Sequence, residues 1–143
     1  MRRSDLRDLK RFELLVDFDE DDRRVLSEAL QVCEMETGEA VFARGDPSDG
    51  LLLLAEGCVM IRCAGSGEIA HLNAGATLGV LSLVGEGRRE ADAETASQTR
   101  LFVLPRARFE EMLDAAPRTA GRLLQAILRE QAALLHEAAN SLD

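Results

Sequence analysis

Long apolar runs are absent from this sequence, and their absence excludes one class of protein. No apolar run approaches the roughly 20 residues that a membrane-spanning helix needs. The first residues, MRRSDLRDLKRFELL, have neither the long apolar core nor the small-residue cleavage site of a signal peptide. The sequence therefore predicts a cytoplasmic protein that does not bind a membrane.

Cysteine and histidine are scarce as well. The three cysteines, Cys33, Cys58 and Cys63, are an odd number without a C-x-x-C pair, which predicts free thiols in a reducing compartment. The two histidines, His71 and His136, occupy dissimilar positions and complete neither a metal-ligand spacing nor a nucleophile–base pattern. We therefore expect no metal, no resident cofactor and no enzymatic activity.

Positive charge is the third shortage, since 17 basic residues face 26 acidic ones and the formal net charge is −9. A nucleic-acid-binding protein needs a basic face for the phosphate backbone. The only basic cluster, in residues 2–11, is interrupted by Asp5 and Asp8. We predict no nucleic-acid partner. Many arginines against a single lysine, with abundant alanine and leucine, are associated with GC-rich bacterial genes.

What the sequence does contain is enough apolar material for one domain spanning residues 1–143, because 46% of its residues are hydrophobic. Helical spacing of apolar residues marks residues 1–31. Short apolar or alternating runs between glycine-rich turns follow in residues 32–104, and they favour an antiparallel sandwich or barrel. Helical spacing returns in residues 105–143. The order is helices, strands and helices.

Local signals refine this outline. Asp19 is placed to cap a second helix, with Asp22 in its first turn. Gly65-Ser66-Gly67 is a plausible hairpin loop between two strands. Pro117 suits the first turn of a long C-terminal helix.

The run GEAVFARGDPSDGLLLLAEGCVMI resembles the first half of a cyclic-nucleotide-binding domain, as in catabolite activator proteins and protein kinase A regulatory subunits. The resemblance rests on Gly38 opening a strand, Gly45 at a turn, Asp49, and Gly57 before the next strand. It implies an α+β, mainly β fold: an antiparallel jelly-roll or double-stranded β-helix barrel with N-terminal helices and a long C-terminal helix.

The next stretch, LNAGATLGVLSLVGEGRREADAET, resembles the phosphate-binding cassette of that family, and residues 75–91 are called the cassette segment below. In the family, backbone N–H groups and an arginine bind the cyclic phosphate. A hydroxyl beside the arginine donates a further hydrogen bond, and a glutamate accepts the ribose 2′-OH. Gly79 and Arg89 match this pattern.

Two positions depart from the family pattern. Val80 stands where the glutamate is expected, and Glu90 stands where the hydroxyl is expected. A lost hydrogen bond to a charged group costs roughly 1.5–3 kcal/mol. A carboxylate about 4 Å from a phosphate costs on the order of 4 kcal/mol at an effective dielectric near 20. Micromolar affinity is worth only about 8 kcal/mol, so we expect poor binding of cAMP and cGMP.

Two interpretations of this segment stay open. In one, Arg88, Arg89 and Glu90 form a surface ion-pair cluster in a degenerate pocket. In the other, they form an altered anion site for a cyclic dinucleotide or for a carboxylate of a partner. The candidate ligand-binding residues are Gly79, Val80, Leu81, Arg88, Arg89, Glu90, Ala91 and Gln131.

An alternating four- and three-residue spacing of mainly apolar residues on the C-terminal helix is typical of a coiled-coil seam. The residues of this seam are Ala120, Leu124, Ile127, Gln131, Leu134 and Ala138. A helix that packs on its own barrel shows a similar stripe. The family resemblance favours a homodimer through this helix and places Gln131 near any bound base.

Family transcription factors continue beyond this helix into a helix-turn-helix domain, whereas this sequence stops at Asp143. We therefore expect a stand-alone regulatory or adaptor domain that acts through a protein partner. The alternative is a functional sensor of a cyclic nucleotide or cyclic dinucleotide.

Overall fold

Eight antiparallel strands and four α-helices form the fold in the computed structural model, which describes residues 3–63, 65–85 and 87–141. The helices are α1 Arg3–Asp8, α2 Glu20–Ala29, α3 Arg106–Ala115 and α4 Pro117–Ser141. The strands are β1 Gln31–Met35, β2 Ala40–Phe42, β3 Gly50–Glu56, β4 Cys58–Cys63, β5 Ile69–Asn73, β6 Thr77–Leu78, β7 Ala91–Thr95 and β8 Thr99–Pro105. Short 3₁₀ helices span Leu9–Arg11, Glu13–Leu15 and Val80–Leu83.

The strands form two four-stranded sheets, in the orders β1-β8-β3-β6 and β2-β7-β4-β5. A small apolar cluster lies between the sheets, with Leu54 and Leu101 from the first and Val59 and Ala93 from the second. The predicted mainly β fold with helices at both ends is confirmed. Within the described residues, the strand pairing gives two separate sheets and no single closed barrel, which corrects that part of the expectation.

Tight turns join several of the strands. Gly57 links β3 to β4 with a φ of +95°, and a Cβ there would lie 2.9 Å from Cα of Thr99 and closer still to the carbonyl oxygen of Gln98. Only glycine fits this turn without strain. The predicted Gly65-Ser66-Gly67 loop lies between β4 and β5.

The main core lies where the N-terminal segment, α3 and α4 meet one sheet. Phe12 and Phe102 pack with ring centroids 6.5 Å apart, and Leu26 and Leu123 are buried beside them. Each such side chain contributes about 1.5–3 kcal/mol on burial. None of the helices in the described ranges is both long and apolar enough to cross a bilayer.

The predicted cap of α2 is confirmed and extends into a clamp on α4. Asp19 accepts a hydrogen bond from the Asp22 N–H at 2.8 Å, and Asp22 accepts one from the Asp19 N–H at 3.1 Å. Thr119 donates to Asp22 at 2.7 Å, and Arg118 and Arg122 bind Asp19 at 2.6 and 3.1 Å. Arg122 also pairs with Asp22. These contacts hold the first turns of α4 against α2.

The carboxyl groups of this clamp titrate at low pH. The hydrogen bond from the Asp22 backbone, together with Arg122 and Arg118, lowers the pKa of Asp19 to about 2. Burial alone would raise the pKa of Asp22, but hydrogen bonds from Thr119, the Asp19 backbone and Arg122 outweigh it, so that this pKa is also lowered.

Candidate functional site

A cavity of about 600 Å³ opens between the cassette segment, the loop before β3 and the end of β2. The residues of its lining that bear on function are Phe42, Ser48, Gly79, Ser82, Arg89 and Glu90. The structure thus brings most of the predicted cassette residues together in one cavity wall. Leu81, Arg88 and Ala91 line it as well.

Gly79 gives the cassette segment its course. Its φ is +74°, a left-handed conformation that L side chains rarely adopt, and the 3₁₀ helix of the segment starts at the next residue. A Cβ on Gly79 would lie 2.9 Å from the Ser82 hydroxyl oxygen and closer still to a terminal nitrogen of Arg89. The absence of a side chain at Gly79 therefore makes room for the Arg89 guanidinium.

Arg89 is half-buried and bound on three sides. Its Nη2 donates to the Gly50 carbonyl at 3.0 Å, and Nη1 makes a long contact of 3.5 Å with the Ser82 hydroxyl. Its guanidinium carbon lies 4.7 Å from the centroid of the Phe42 ring, a cation–π distance. Burial lowers the pKa of Arg89, and the Asp49 and Asp46 carboxylates oppose that shift. An arginine stays charged at any physiological pH, so the cavity wall carries a fixed cation.

Two hydroxyl groups of the cavity were missed by the sequence interpretation. Ser82 is buried, and its hydroxyl is hydrogen-bonded to that of Ser48. Together with Arg89, which donates to the Ser82 hydroxyl, they form a hydrogen-bonded chain along the cavity wall. The one local signal for Ser82 is a polar residue inside the otherwise apolar run Val80–Leu83.

Val80 and Leu81 point in different directions. Val80, at the position of the family glutamate, is 9% exposed and belongs to the main core. It is not among the described residues that line the cavity. Leu81 is 53% exposed and does line it. The valine therefore offers a ligand no carboxylate, and its position is occupied by packing.

Glu90 and Arg88 do not form the ion-pair cluster that the sequence allowed. Glu90 is exposed on the cavity lining, and within the described ranges it makes no ion pair. Arg88 is exposed and donates to the Gly45 carbonyl at 2.8 Å. The Arg89 charge is thus not neutralised by Glu90, which corrects that expectation.

The predicted seam of α4 divides into two parts. Ala120 and Ile127 are buried in the core of their own chain, and Leu124 packs against that core. Ala120 and Ile127 are therefore not available to a second copy, whereas Leu124 is only partly buried. Leu134 is 53% exposed, and the described residues after it, 135–141, are exposed as well. Gln131 is half-buried, and it is not among the described residues lining the cavity of this chain.

The two facing sheets, the long C-terminal helix and an arginine-bearing cavity define a jelly-roll domain with an open cavity. The family model for the cyclic nucleotide-binding domain matches residues 32–116. The chain belongs to this family, as its resemblance predicted.

Similar proteins have diverse functions. The N-terminal domain of a transcriptional regulator from Streptomyces coelicolor is 26% identical, with 89% of this chain and 94% of that chain covered and a TM-score of 0.79. The catabolite activator protein of Thermus thermophilus is 28% identical over 91% of this chain and 61% of that chain, with a TM-score of 0.74. A Rhodopseudomonas palustris protein named as a potassium channel is 30% identical over 71% of this chain and 25% of its own length. The chain spans a quarter or less of the curated relatives that it matches.

Proposed function

We propose that this chain is a regulatory domain whose cavity keeps the anion-binding arginine but holds cAMP and cGMP poorly, and which acts through a protein partner. One observation carries the proposal. The position that would bind the ribose is the core residue Val80, while the position beside the phosphate arginine carries the carboxylate of Glu90.

The energies of these two changes are large enough to matter. Loss of the glutamate removes a hydrogen bond to a charged group, which is worth roughly 1.5–3 kcal/mol. Glu90 is exposed, so water weakens the repulsion between its carboxylate and a phosphate about 4 Å away. This repulsion costs between about 1 kcal/mol, as in bulk water, and about 4 kcal/mol, as at a protein surface. A micromolar site is worth about 8 kcal/mol in total, and these losses move it to the millimolar range.

A second candidate function is that of a sensor for a different anion, such as a cyclic dinucleotide. The observation that favours it is the Arg89 guanidinium, which forms no salt bridge among the described residues, although the Asp49 and Asp46 carboxylates act on its charge from further away. Ser82 and Ser48 add hydroxyl groups beside it. These groups suit a phosphate that approaches away from Glu90.

The proposal also includes a homodimer, through a narrower surface than the sequence indicated. We place it on the exposed half of α4 from Gln131 onward, with Leu134 and Ala138 of the predicted seam and the neighbouring Leu135. A binding role of this kind requires no catalytic group, and we propose no enzymatic activity, no nucleic-acid or membrane partner and a cytoplasmic location.

Isothermal titration calorimetry of the purified protein with cAMP, cGMP and cyclic di-GMP separates the two functions. The main proposal predicts no heat of binding below millimolar concentrations for either mononucleotide. Micromolar binding of cyclic di-GMP alone would favour the second candidate. Micromolar binding of cAMP or cGMP would contradict the main proposal.

A further inference from the structure

Arg106, the first residue of α3, reaches behind the cavity wall. Its Nε donates to the Ser82 carbonyl at 2.7 Å, and its Nη2 donates to the carbonyls of Ser48 and Gly85 at 2.6 and 2.5 Å. Its backbone N–H donates to the Asp49 carbonyl at 2.7 Å. Four hydrogen bonds from one residue thus bind two separate segments of the chain.

The three residues that accept from the Arg106 side chain all line the cavity, whereas Arg106 itself does not. Ser48 belongs to the loop before β3, and Ser82 and Gly85 belong to the cassette segment. The hydroxyls of Ser48 and Ser82 are also hydrogen-bonded to each other. The same two residues are therefore joined twice, by their hydroxyls and through the guanidinium that their carbonyls share.

The chemistry of the contact calls for an arginine. The carbonyls of Ser82 and Gly85 lie at the end of the 3₁₀ helix Val80–Leu83, where a helix leaves carbonyl groups without internal partners. A cation placed there satisfies them. The planar fork of a guanidinium offers five N–H groups in fixed directions, whereas a lysine offers one compact ammonium.

We propose that Arg106 is the positioning residue of the cavity: it fixes the Ser48–Ser82 pair, and through Ser82 the place of Arg89, in the geometry that receives an anionic ligand. This inference rests on the proposed function for its ligand, and it adds a residue outside the cavity that sets the shape of the wall. It acts without touching the ligand, through the carbonyl groups that it holds.

Amide hydrogen exchange followed by NMR tests this role without any ligand. The Arg106→Gln variant is expected to speed exchange of the Ser48, Ser82 and Gly85 amides about tenfold, because the segments that carry them lose their common anchor. The Cys63 amide, bonded to the Glu68 carbonyl at 2.8 Å in the β4–β5 hairpin, is expected to change less than about twofold. Arg106→Lys is expected to fall between wild type and Arg106→Gln.

Arg108→Gln is the matched control, because Arg108 lies on the same helix and, among the described residues, its one salt bridge is with the exposed Glu111 at 3.8 Å. It is expected to leave all four amides unchanged. Unchanged exchange at Ser48, Ser82 and Gly85 in Arg106→Gln would overturn the proposal. Equal acceleration at Cys63 would overturn it too, since Arg106 would then act only on global stability.

Ligand binding gives a separate readout. If Glu90→Ser binds cAMP, the addition of Arg106→Gln is expected to weaken that binding at least about tenfold, by disordering the wall. Unchanged affinity in the double variant would contradict the positioning role. If Glu90→Ser binds no cAMP, the account of the pocket fails, and the exchange measurement still decides the role of Arg106.

Discussion

The guanidinium carbon of Arg89 lies 4.7 Å from the centroid of the Phe42 ring, at the cavity wall. The aromatic face supports the cation on one side, and the Gly50 carbonyl accepts a hydrogen bond from it on another. Arg89 is therefore held in place by the protein before any ligand arrives, which reduces the cost of ordering it on binding.

A double-mutant cycle measures this support. Phe42→Leu and Arg89→Met are expected to show a coupling energy of about 0.5–2 kcal/mol, the range of a partly buried cation–π pair. Urea unfolding followed by far-ultraviolet circular dichroism is suitable, since the chain has neither tryptophan nor tyrosine. Phe42→Leu combined with Arg62→Met is the control. Coupling below the error of the control cycle would remove Phe42 from the site.

Gly79 is predicted to tolerate no side chain. Gly79→Ala introduces a Cβ at a φ of +74° and against Arg89, and it is expected to destabilise the fold by about 1–3 kcal/mol. Gly87→Ala, where a Cβ would meet no atom within 4 Å, is the matched control in the same segment. Equal unfolding midpoints for the two variants would show that Gly79 does not constrain the cavity.

Local signals explain what the sequence predicted well. The cap at Asp19 and the start of α4 at Pro117 depend on neighbours within a few positions. Their chemistry can be read from a single stretch of chain. The family resemblance then placed these stretches in one fold.

Contacts between distant segments were not accessible in this way. Ser48 is hydrogen-bonded to Ser82, 34 positions away in the sequence, and to Arg106, 58 positions away. A single sequence does not show which distant segments lie together. The burial of Ala120 and Ile127 of the α4 seam in the core of their own chain could not be predicted for a related reason. The spacing of apolar residues is the same whether a helix faces its own core or a second copy.

The clamp between α2 and α4 predicts a specific pH dependence. The folded pKa of Asp19, about 2, lies below its ordinary 3.8, so the unfolded chain takes up protons first as the pH falls. The stability from the clamp is therefore fully present above about pH 5 and is lost progressively as the pH falls towards 2.

Arg122→Gln removes the partner shared by Asp19 and Asp22. The difference in unfolding free energy between wild type and this variant is expected to be present at pH 7 and to shrink as the pH falls from about 5 to 2. Arg108→Gln, on an exposed pair, is expected to show no such dependence. A constant difference across this pH range would show that the clamp does not act through these carboxylates.

The exposed half of α4 is predicted to carry self-association. Leu134→Glu with Leu135→Glu puts two charges on that surface and is expected to convert a dimer to a monomer in sedimentation velocity, with the thermal midpoint nearly unchanged. Both side chains are more than half exposed, so the fold does not depend on them. Leu113→Glu, on the exposed side of α3, is the control. A monomeric wild-type protein would contradict the proposed dimer.

The central claim is that Glu90 repels the phosphate of the usual ligand. Calorimetric titration of cAMP into Glu90→Ser tests it most directly. Glu94→Ser is a control of equal charge change, on strand β7, which starts directly after Glu90, and outside the cavity lining. Removal of the carboxylate and gain of a hydroxyl are expected to tighten cAMP binding at least about tenfold over wild type, with no change in the control. Equal affinities of wild type and Glu90→Ser would contradict the account.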